Sequence, residues 1–394
     1  GGVAGGAEPD ARRLAEQLTA AGLLSVVSAD GGDCRYRPHD LVALYARELA
    51  AHEDPRASGE SMDRMLDALI AATESMYPHL PWSLEGLPLD RAREHHPAYV
   101  TAVPAVEPGD SVRWVHAQRS LLLSVIEQGC RFGHVSKAER LSGLVAPTLA
   151  AFGGFEELLR TMAMLRDAAR SAGDALAEWR AEYARAALLL TRQVDESARL
   201  YARCAEEFER LDAPVEQAQS LACLAFARSI RGHVDEGSSL AAIEIAGTLG
   251  RPAISALAFR NHAEVLLRSG RRAEALERYR ESLACVQGLD NNLRVRGDLS
   301  RRYSRCALRL GDLDEARTSC RQAILLAEAA YDSHGLAWCL NLKGQILLAD
   351  ERPREALEAA ERSRRLMAET GDAQGSATVA LVLARARLAA NRRR

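Results

Sequence analysis

The stretch GRRAEALERYRESLA (residues 270–284) recurs in altered form as GDLDEARTSCRQAIL (residues 311–325) and as ERPREALEAAERSRR (residues 351–365). Weaker copies begin at residues 153, 192 and 232. The acidic residue that the copies share falls at Glu156, Glu196, Glu236, Glu274, Glu315 and Glu355, in steps of 38 to 41 residues. So regular a period predicts a solenoid of stacked helix pairs.

Three positions of the repeat indicate how each helix pair is built. A glycine ends the first helix in most copies, because glycine accepts the left-handed conformation that terminates a helix. The shared acidic residue then lies in the first turn of the second helix, where the helix dipole favours a negative charge. Small residues let the two helices pack closely: Ala225, Ala263, Ser304 and Gly344 on the first helices, and Ala275, Ala316 and Ala356 on the second.

This combination resembles the tetratricopeptide repeat, lengthened from about 34 residues to about 40. The resemblance extends over residues 115–394 and implies a concave groove lined by the first helix of each pair. By the repeat register, the groove carries Gln219, Phe226, Arg260, Glu264, Arg301, Arg305, Trp338, Asn341 and Gln345. One interpretation is a groove for a protein or peptide ligand, whose carboxylates the arginines bind. The alternative is that these residues form solvated helix faces and salt bridges between repeats, with Trp338 as a packing residue.

The composition argues against several other classes of protein. The 394 residues carry a formal net charge of −3, so no overall charge drives the chain onto nucleic acid or a membrane. The eight cysteines form no CxxC pair, which favours reduced, buried thiols in a cytoplasmic protein. No apolar run approaches the roughly 20 residues that span a bilayer. No metal-ligand cluster, catalytic constellation or GxxxxGK[ST] loop is recognisable, so we expect this chain to be no enzyme and to hold no cofactor by itself.

Residues 1–56 do not follow the repeat. A helix that begins near Pro9 is followed by two short strands around Asp30-Gly31-Gly32, a hairpin signal, and then by a second helix from Leu41. Helix, hairpin and helix in this order indicate the later part of a winged-helix domain. The unit holds six arginines against nine Asp or Glu residues, and this negative balance argues against binding to DNA phosphates.

The joint between the hairpin and its second helix, RYRPHDLVALYARELA (residues 35–50), resembles the end of the winged-helix arm in NB-ARC-type signal-transduction ATPases. It is most similar to the Streptomyces antibiotic regulatory protein group. An amphipathic helix with a proline-rich linker (residues 57–113) and then the repeat domain (residues 114–394) follow in the same order as in that group. Carried over from the family, His39 would read the β-phosphate of ADP, and Asp40 would position it and cap the helix. Pro38 stands where the family motif has methionine.

The resemblance implies the regulatory half of a multidomain ATPase-type transcriptional regulator. Its repeat array would bind a ligand or partner and control a nucleotide-binding domain upstream in the same polypeptide. ATP or ADP would bind to that full-length protein, DNA would bind only through its N-terminal part, and the array would offer a surface for oligomerisation. Two alternatives remain: a stand-alone tetratricopeptide-repeat scaffold, and a peptide-binding receptor with no nucleotide domain. The expected fold is an all-α solenoid, preceded by a partial winged helix with a small β-hairpin.

Overall fold

The structure is a computed structural model that describes residues 8–28, 34–52, 55–76, 80, 107, 110–151, 154–190, 192–289, 293–370 and 372–391. Within these ranges the chain forms two strands and eighteen helices. The front of the chain holds α1 (Glu8–Ala20), β1 (Leu24–Ser28), β2 (Cys34–Pro38), α2 (Asp40–His52) and α3 (Pro55–Met76). The array holds α4 (Ser111–Ala117), α5 (Arg119–Arg131), α6 (Val135–Ala151), α7 (Phe155–Ser171), α8 (Ala175–Leu189), α9 (Val194–Arg210), α10 (Pro214–Ile230), α11 (Glu236–Leu249), α12 (Pro252–Arg268), α13 (Arg272–Val286), α14 (Leu293–Leu310), α15 (Leu313–Ala329), α16 (Ser333–Ala349), α17 (Pro353–Thr370) and α18 (Ala373–Asn391).

The array is built from helix pairs whose boundaries follow the sequence repeat. Each second helix packs against the first helix of its own pair and against that of the next, as α13 does with α12 and α14. The small residues that the repeat predicts at these contacts are buried: Ala225, Ala263, Ser304, Ala275, Ala316 and Ala356 have no exposed surface. The prediction of a solenoid of closely packed helix pairs is confirmed.

The turns between paired helices also follow the repeat. Gly232, Gly270 and Gly311 have φ angles of +83°, +86° and +90°, the left-handed region in which glycine carries no steric cost. Glu351 adopts a φ of +57° at the equivalent turn of the last pair, where the sequence lacks the glycine. The shared acidic residues lie in the first turns of the second helices, from Glu156 in α7 to Glu355 in α17.

Aspartates cap five helices of the described array. The side chain of each accepts a hydrogen bond from the backbone amide three residues later: Asp174, Asp235, Asp312, Asp332 and Asp372. This bond satisfies one of the amides that the first turn of a helix leaves without a partner. The caps fix where each helix begins and therefore the register of the repeat.

We expect Asp312→Ala to lower the free energy of unfolding by about 1 kcal/mol, the typical cost of losing an N-cap. The carboxylate of Asp312 accepts from the Glu315 amide at 3.0 Å, and alanine leaves that amide to water. Urea denaturation followed by circular dichroism measures the change. Asp314→Ala is the matched control. Asp314 lies two residues later, in the first turn of the same helix, and its side chain is 92% exposed. A larger loss from Asp314→Ala would contradict the assignment of the cap.

The amphipathic helix α3 belongs to the packed array. Leu66, Ile70 and Met76 are buried in one cluster with residues of α5 and α6. Ion pairs flank this contact: Lys137 Nζ lies 2.6 Å from Asp63 Oδ1, and Arg140 Nη2 lies 2.5 Å from the carboxylate of Glu74. α3 therefore covers the first helices of the solenoid. The proline-rich linker after it falls largely outside the described residues.

The front unit contains the predicted hairpin. β1 and β2 pair antiparallel, with Leu24 opposite Pro38 and Val26 opposite Tyr36. The Asp30-Gly31-Gly32 turn lies outside the described residues. Eight large apolar side chains of this unit are exposed: Leu14, Leu18, Leu23, Val26, Leu41, Leu44, Tyr45 and Leu49. The order helix, hairpin, helix is thus present, with an apolar surface that the described part of the chain leaves uncovered.

The cysteines and the apolar character of the helices also agree with expectations from the composition. Seven cysteines are described as free thiols, and six of these are buried. Among the described residues, no helix is both long and apolar enough to cross a membrane.

Candidate functional site

Glu264 of α12 is the centre of a charged cluster between two neighbouring repeats. Its side chain is buried, and the Tyr279 hydroxyl of α13 donates a hydrogen bond of 2.6 Å to Oε1. Two arginines of the next first helix, α14, also reach Oε1: Arg302 donates from Nη1 at 2.9 Å, and Arg305 donates from Nη2. Arg268, one turn along α12, donates from Nη1 to Oε2 at 2.6 Å. Both oxygens of one carboxylate are therefore held by four donors from three helices.

The environment keeps Glu264 ionised. Burial alone would raise the pKa of this carboxyl, but the guanidinium groups of Arg305, Arg302 and Arg268 hold the pKa far below its usual range. The Tyr279 pKa is raised well above its ordinary value by burial and by the negative Glu264, so the phenol stays a hydrogen-bond donor. The cluster is thus a fixed negative charge surrounded by cations.

Asp298 of α14 is the second carboxylate of the cluster. Arg302 donates to it from Nε at 2.7 Å, and Arg301 donates from Nη2 at 2.5 Å. Burial raises its pKa, but the charges of Arg302, Arg301 and Arg260 outweigh that effect and lower it. Arg260 is almost fully buried, and its guanidinium donates to the Asn261 side-chain oxygen at 2.8 and 3.1 Å.

Aromatic rings hold the ends of the cluster. The Arg268 guanidinium lies over the Phe226 ring at 5.1 Å from its centroid, and Arg301 lies over Trp338 at 5.8 Å. Cation–π contacts of this kind restrict the arginine rotamers. Trp338 is itself fixed, because its indole Nε1 donates to Asp372 Oδ2 at 3.0 Å. Phe226 and Trp338 thus mark the two ends of one continuous chain of side-chain contacts across α10, α12, α14 and α16.

The structure unites six of the nine groove residues predicted from the repeat register. Phe226, Arg260, Glu264, Arg301, Arg305 and Trp338 belong to the continuous set just described. Gln219 and Asn341 are buried, as Arg260 and Glu264 are, and the Asn341 amide donates to Thr378 Oγ1 at 3.3 Å. Gln345 is exposed at the far end of α16. Arg305 makes a salt bridge to Glu264 of the neighbouring repeat, as the alternative interpretation of the sequence expected, whereas Arg301 pairs with Asp298 on its own helix.

The register did not single out several members of the cluster. Arg268, Tyr279, Asp298, Arg302 and Arg309 were missed. Arg268, Asp298 and Arg309 lie three or four residues from a predicted residue on the same helix, and Arg302 lies next to one. Extending each groove position by one helical turn would have found them. Tyr279 comes from the second helix, and only the packing of α13 beneath α12 brings it to Glu264.

His39 lies between the hairpin and α2. Its backbone amide donates to the Leu23 carbonyl at 3.4 Å, and its carbonyl accepts from the Ala43 amide at 2.8 Å. The helix therefore has His39 at its N-cap and Asp40 in its first turn. The expected cap by the Asp40 side chain does not form with any described residue, because Asp40 is already inside the helix. Both side chains are exposed.

No group of three or more His, Cys, Asp or Glu side chains in the described residues could hold a metal ion. The cluster around Glu264 is also unsuited to metal binding, because its carboxylates are already occupied by guanidinium groups. The cluster cross-links neighbouring repeats through salt bridges.

Comparison with known proteins agrees with this architecture. A family model for the tetratricopeptide repeat matches residues 298–369. The regulatory protein AfsR of Streptomyces coelicolor is 28% identical over 300 residues, which cover 73% of this chain and 29% of AfsR. A signal-transduction ATPase with numerous domains and a tetratricopeptide-repeat sensor, from Pyrococcus horikoshii, superimposes with a TM-score of 0.58 at 11% identity, over 93% of this chain and 48% of that structure. The chain spans less than half the length of either protein, and the likeness shows that its helical array is a tetratricopeptide-repeat solenoid.

Proposed function

We propose that this chain is the sensor arm of a nucleotide-switched transcriptional regulator. Its repeat array would bind a ligand or partner and control an ATPase domain that precedes it in the same polypeptide. The observation that carries the proposal is the His-Asp joint, which lies exposed at the start of α2 in front of a tetratricopeptide-repeat array. The similarity to a protein named as regulatory supports the same assignment. In this proposal, the chain itself performs no chemistry, and ATP or ADP binds to the preceding domain.

The apolar surface of the front unit supports this organisation. Its eight exposed large apolar residues lie within fewer than forty residues of sequence. So many exposed large apolar side chains in so short a segment favour an interaction surface. The partner that we propose for it is the rest of the winged-helix arm and the nucleotide-binding domain. That contact would bring His39 close to a bound nucleotide.

The chemistry of His39 suits the proposed role. An imidazole N–H can donate a hydrogen bond to a phosphate oxygen. Among the described residues, neither His39 nor Asp40 has a side-chain hydrogen bond or ion pair, so the imidazole is available to a phosphate. Pro38 ends β2 opposite Leu24 and so fixes the backbone that presents the histidine.

In the full-length protein, we expect His39→Ala to reduce the ADP retained through purification and to raise activity in the absence of ligand. Losing the contact to the β-phosphate weakens the closed, ADP-bound state and shifts the population toward the active one. The nucleotide content of the purified protein, measured by chromatography after denaturation, checks this. His52→Ala is the matched control, because His52 is an exposed histidine at the other end of the same helix. Equal ADP content in wild type and His39→Ala would contradict the proposal.

A second candidate is a stand-alone repeat scaffold or peptide receptor with no nucleotide domain. The observation that favours it is the continuous chain of charged side chains in contact from Phe226 to Trp338. On this alternative, His39→Ala would change only the stability of the front unit. The nucleotide measurement therefore separates the two candidates.

A further inference from the structure

The cluster around Glu264 carries a large excess of positive charge. Six guanidinium groups of α12 and α14 interact electrostatically with two carboxylates, and four of the six also donate hydrogen bonds to them. The guanidinium groups are those of Arg260, Arg268, Arg301, Arg302, Arg305 and Arg309, and the carboxylates are those of Glu264 and Asp298. We propose that this cluster binds a small ligand that carries two linked phosphate groups. The proposal rests on the proposed function in taking the array as the ligand-binding part.

The excess is local. Elsewhere in the array, arginines pair with carboxylates singly or in groups of three, as Arg231 does with Asp195 at 2.6 Å and Arg317 does with Asp314 and Asp350. The whole chain has a formal net charge of −3. Six positive and two negative side chains at one place therefore depart from the pattern of the molecule. A network that served only to join repeats would be balanced, because unbalanced cations repel one another.

Two groups in the cluster have hydrogen-bond donors to spare. Arg305 Nε is buried and has no hydrogen-bond partner in the described part of the chain. The Arg309 side chain is exposed on the next turn of α14 and forms no ion pair with any described residue. Partial burial and the charges of Arg305 and Arg268 lower the Arg309 pKa, whereas the charge of Glu264 raises it. An anion bound beside Arg309 and Arg305 would supply the missing acceptors and relieve the repulsion.

The amount of charge indicates the class of ligand. One carboxylate would neutralise a quarter of the excess, whereas a phosphate monoester carries nearly two charges and three acceptor oxygens. Two linked phosphates carry about three negative charges near neutral pH and so neutralise most of the excess. Guanidinium groups bind phosphate through paired N–H donors, and their planar forks suit it better than the point charge of lysine. The stacking of Arg268 on Phe226 and of Arg301 on Trp338 holds these forks in place before a ligand arrives.

The test is isothermal titration of pyrophosphate into the 394-residue chain at constant ionic strength. We expect saturable binding that weakens at least about tenfold in Arg309→Gln, because hydrogen bonds to charged groups each contribute at least that factor. Arg317→Gln is the matched control, because Arg317 lies on a second helix and pairs with Asp314 and Asp350 at 2.5 and 2.7 Å. It should bind pyrophosphate as the wild type does. Citrate, a multiply charged carboxylate, should bind more weakly.

Thermal unfolding without ligand adds an independent measurement. Arg309→Gln should keep or raise the melting temperature, since it removes a repelling charge and breaks no ion pair. A purely structural role for Arg309 would instead lower it. Absence of pyrophosphate binding, equal losses in Arg309→Gln and Arg317→Gln, or equal affinity for citrate would each overturn the proposal. Because this binding is measured without the nucleotide domain, its failure is distinct from a failure of the His39 experiment.

Discussion

Glu264→Gln should lower the free energy of unfolding by about 3 kcal/mol, near the lower end of the cost of removing one partner from a buried ion pair. Glutamine keeps the shape of the side chain but removes the negative charge that Arg302, Arg305 and Arg268 share. The expected loss is at the lower end because these guanidinium groups retain 19%, 29% and 33% exposure and can partly rehydrate. Urea denaturation with an unchanged denaturant slope would measure the change.

The matched control for this prediction is Glu274→Gln. Glu274 also forms a salt bridge, with Arg271 Nη2 at 2.5 Å, but its side chain is 55% exposed. Exposed ion pairs contribute about 0–1 kcal/mol, so this variant should unfold close to the wild type. Similar losses in the two variants would show that burial of the Glu264 carboxylate has no special role in joining the repeats.

Glu264→Gln should also remove part of the acid sensitivity of the protein. The pKa of Glu264 is lowered in the folded state, so its stabilising contribution is complete above the unfolded-state pKa of about 4.3. That contribution is lost as the pH falls from there toward the folded-state pKa. The difference in stability between wild type and Glu264→Gln should therefore be constant from pH 7 to about pH 5 and narrow below about pH 4. A constant difference down to pH 3 would contradict this origin.

The repeat register predicted more of this fold than of its site. Spacing alone placed the small residues at Ala263 and Ala316 in the helix contacts, because close packing of helix pairs requires them in every repeat. The same register placed Glu264 and Arg305 on neighbouring first helices, and their side chains are in contact. It could not predict that Glu264 would be buried, since burial depends on how closely α12 and α14 approach and on Tyr279 from the helix beneath them. Charge compensation across three helices leaves no periodic signal in the sequence.

The front unit shows a different limit of prediction from local sequence signals. Helix, strand and turn signals are local, and they predicted α1, the hairpin and α2 correctly. Whether their apolar faces are covered depends on residues distant in sequence or outside the chain. Leu41, Leu44 and Tyr45 have the spacing of a core-facing stripe, yet they are 79%, 58% and 60% exposed. Periodicity indicates that a face is apolar, and only packing shows what covers it.

Gly344→Leu should destabilise the end of the array by about 3 kcal/mol, a large value for overpacking in a core. A Cβ atom at Gly344 would lie 3.0 Å from Val382 Cγ1 and 3.4 Å from the Ala356 carbonyl oxygen. Leucine extends three carbons further into a space bounded by the backbone of α17 and by α18, so these helices must separate. Among the described elements, α18 makes substantial contacts with α16 and α17 only. We therefore expect α18 to detach before the rest of the solenoid unfolds.

Hydrogen exchange measured by mass spectrometry would detect this detachment as faster exchange in α16–α18, with exchange in α8–α11 unchanged. Lys343→Leu is the matched control, since residue 343 is exposed on the same turn of α16 and adds the same side chain without entering the contact. Nearest-neighbour coupling in a solenoid limits the damage to the adjoining repeats. Uniformly faster exchange from α5 to α18 would mean that the array unfolds as one cooperative unit. A ligand bound around Glu264 would then influence the front unit and the last helix alike.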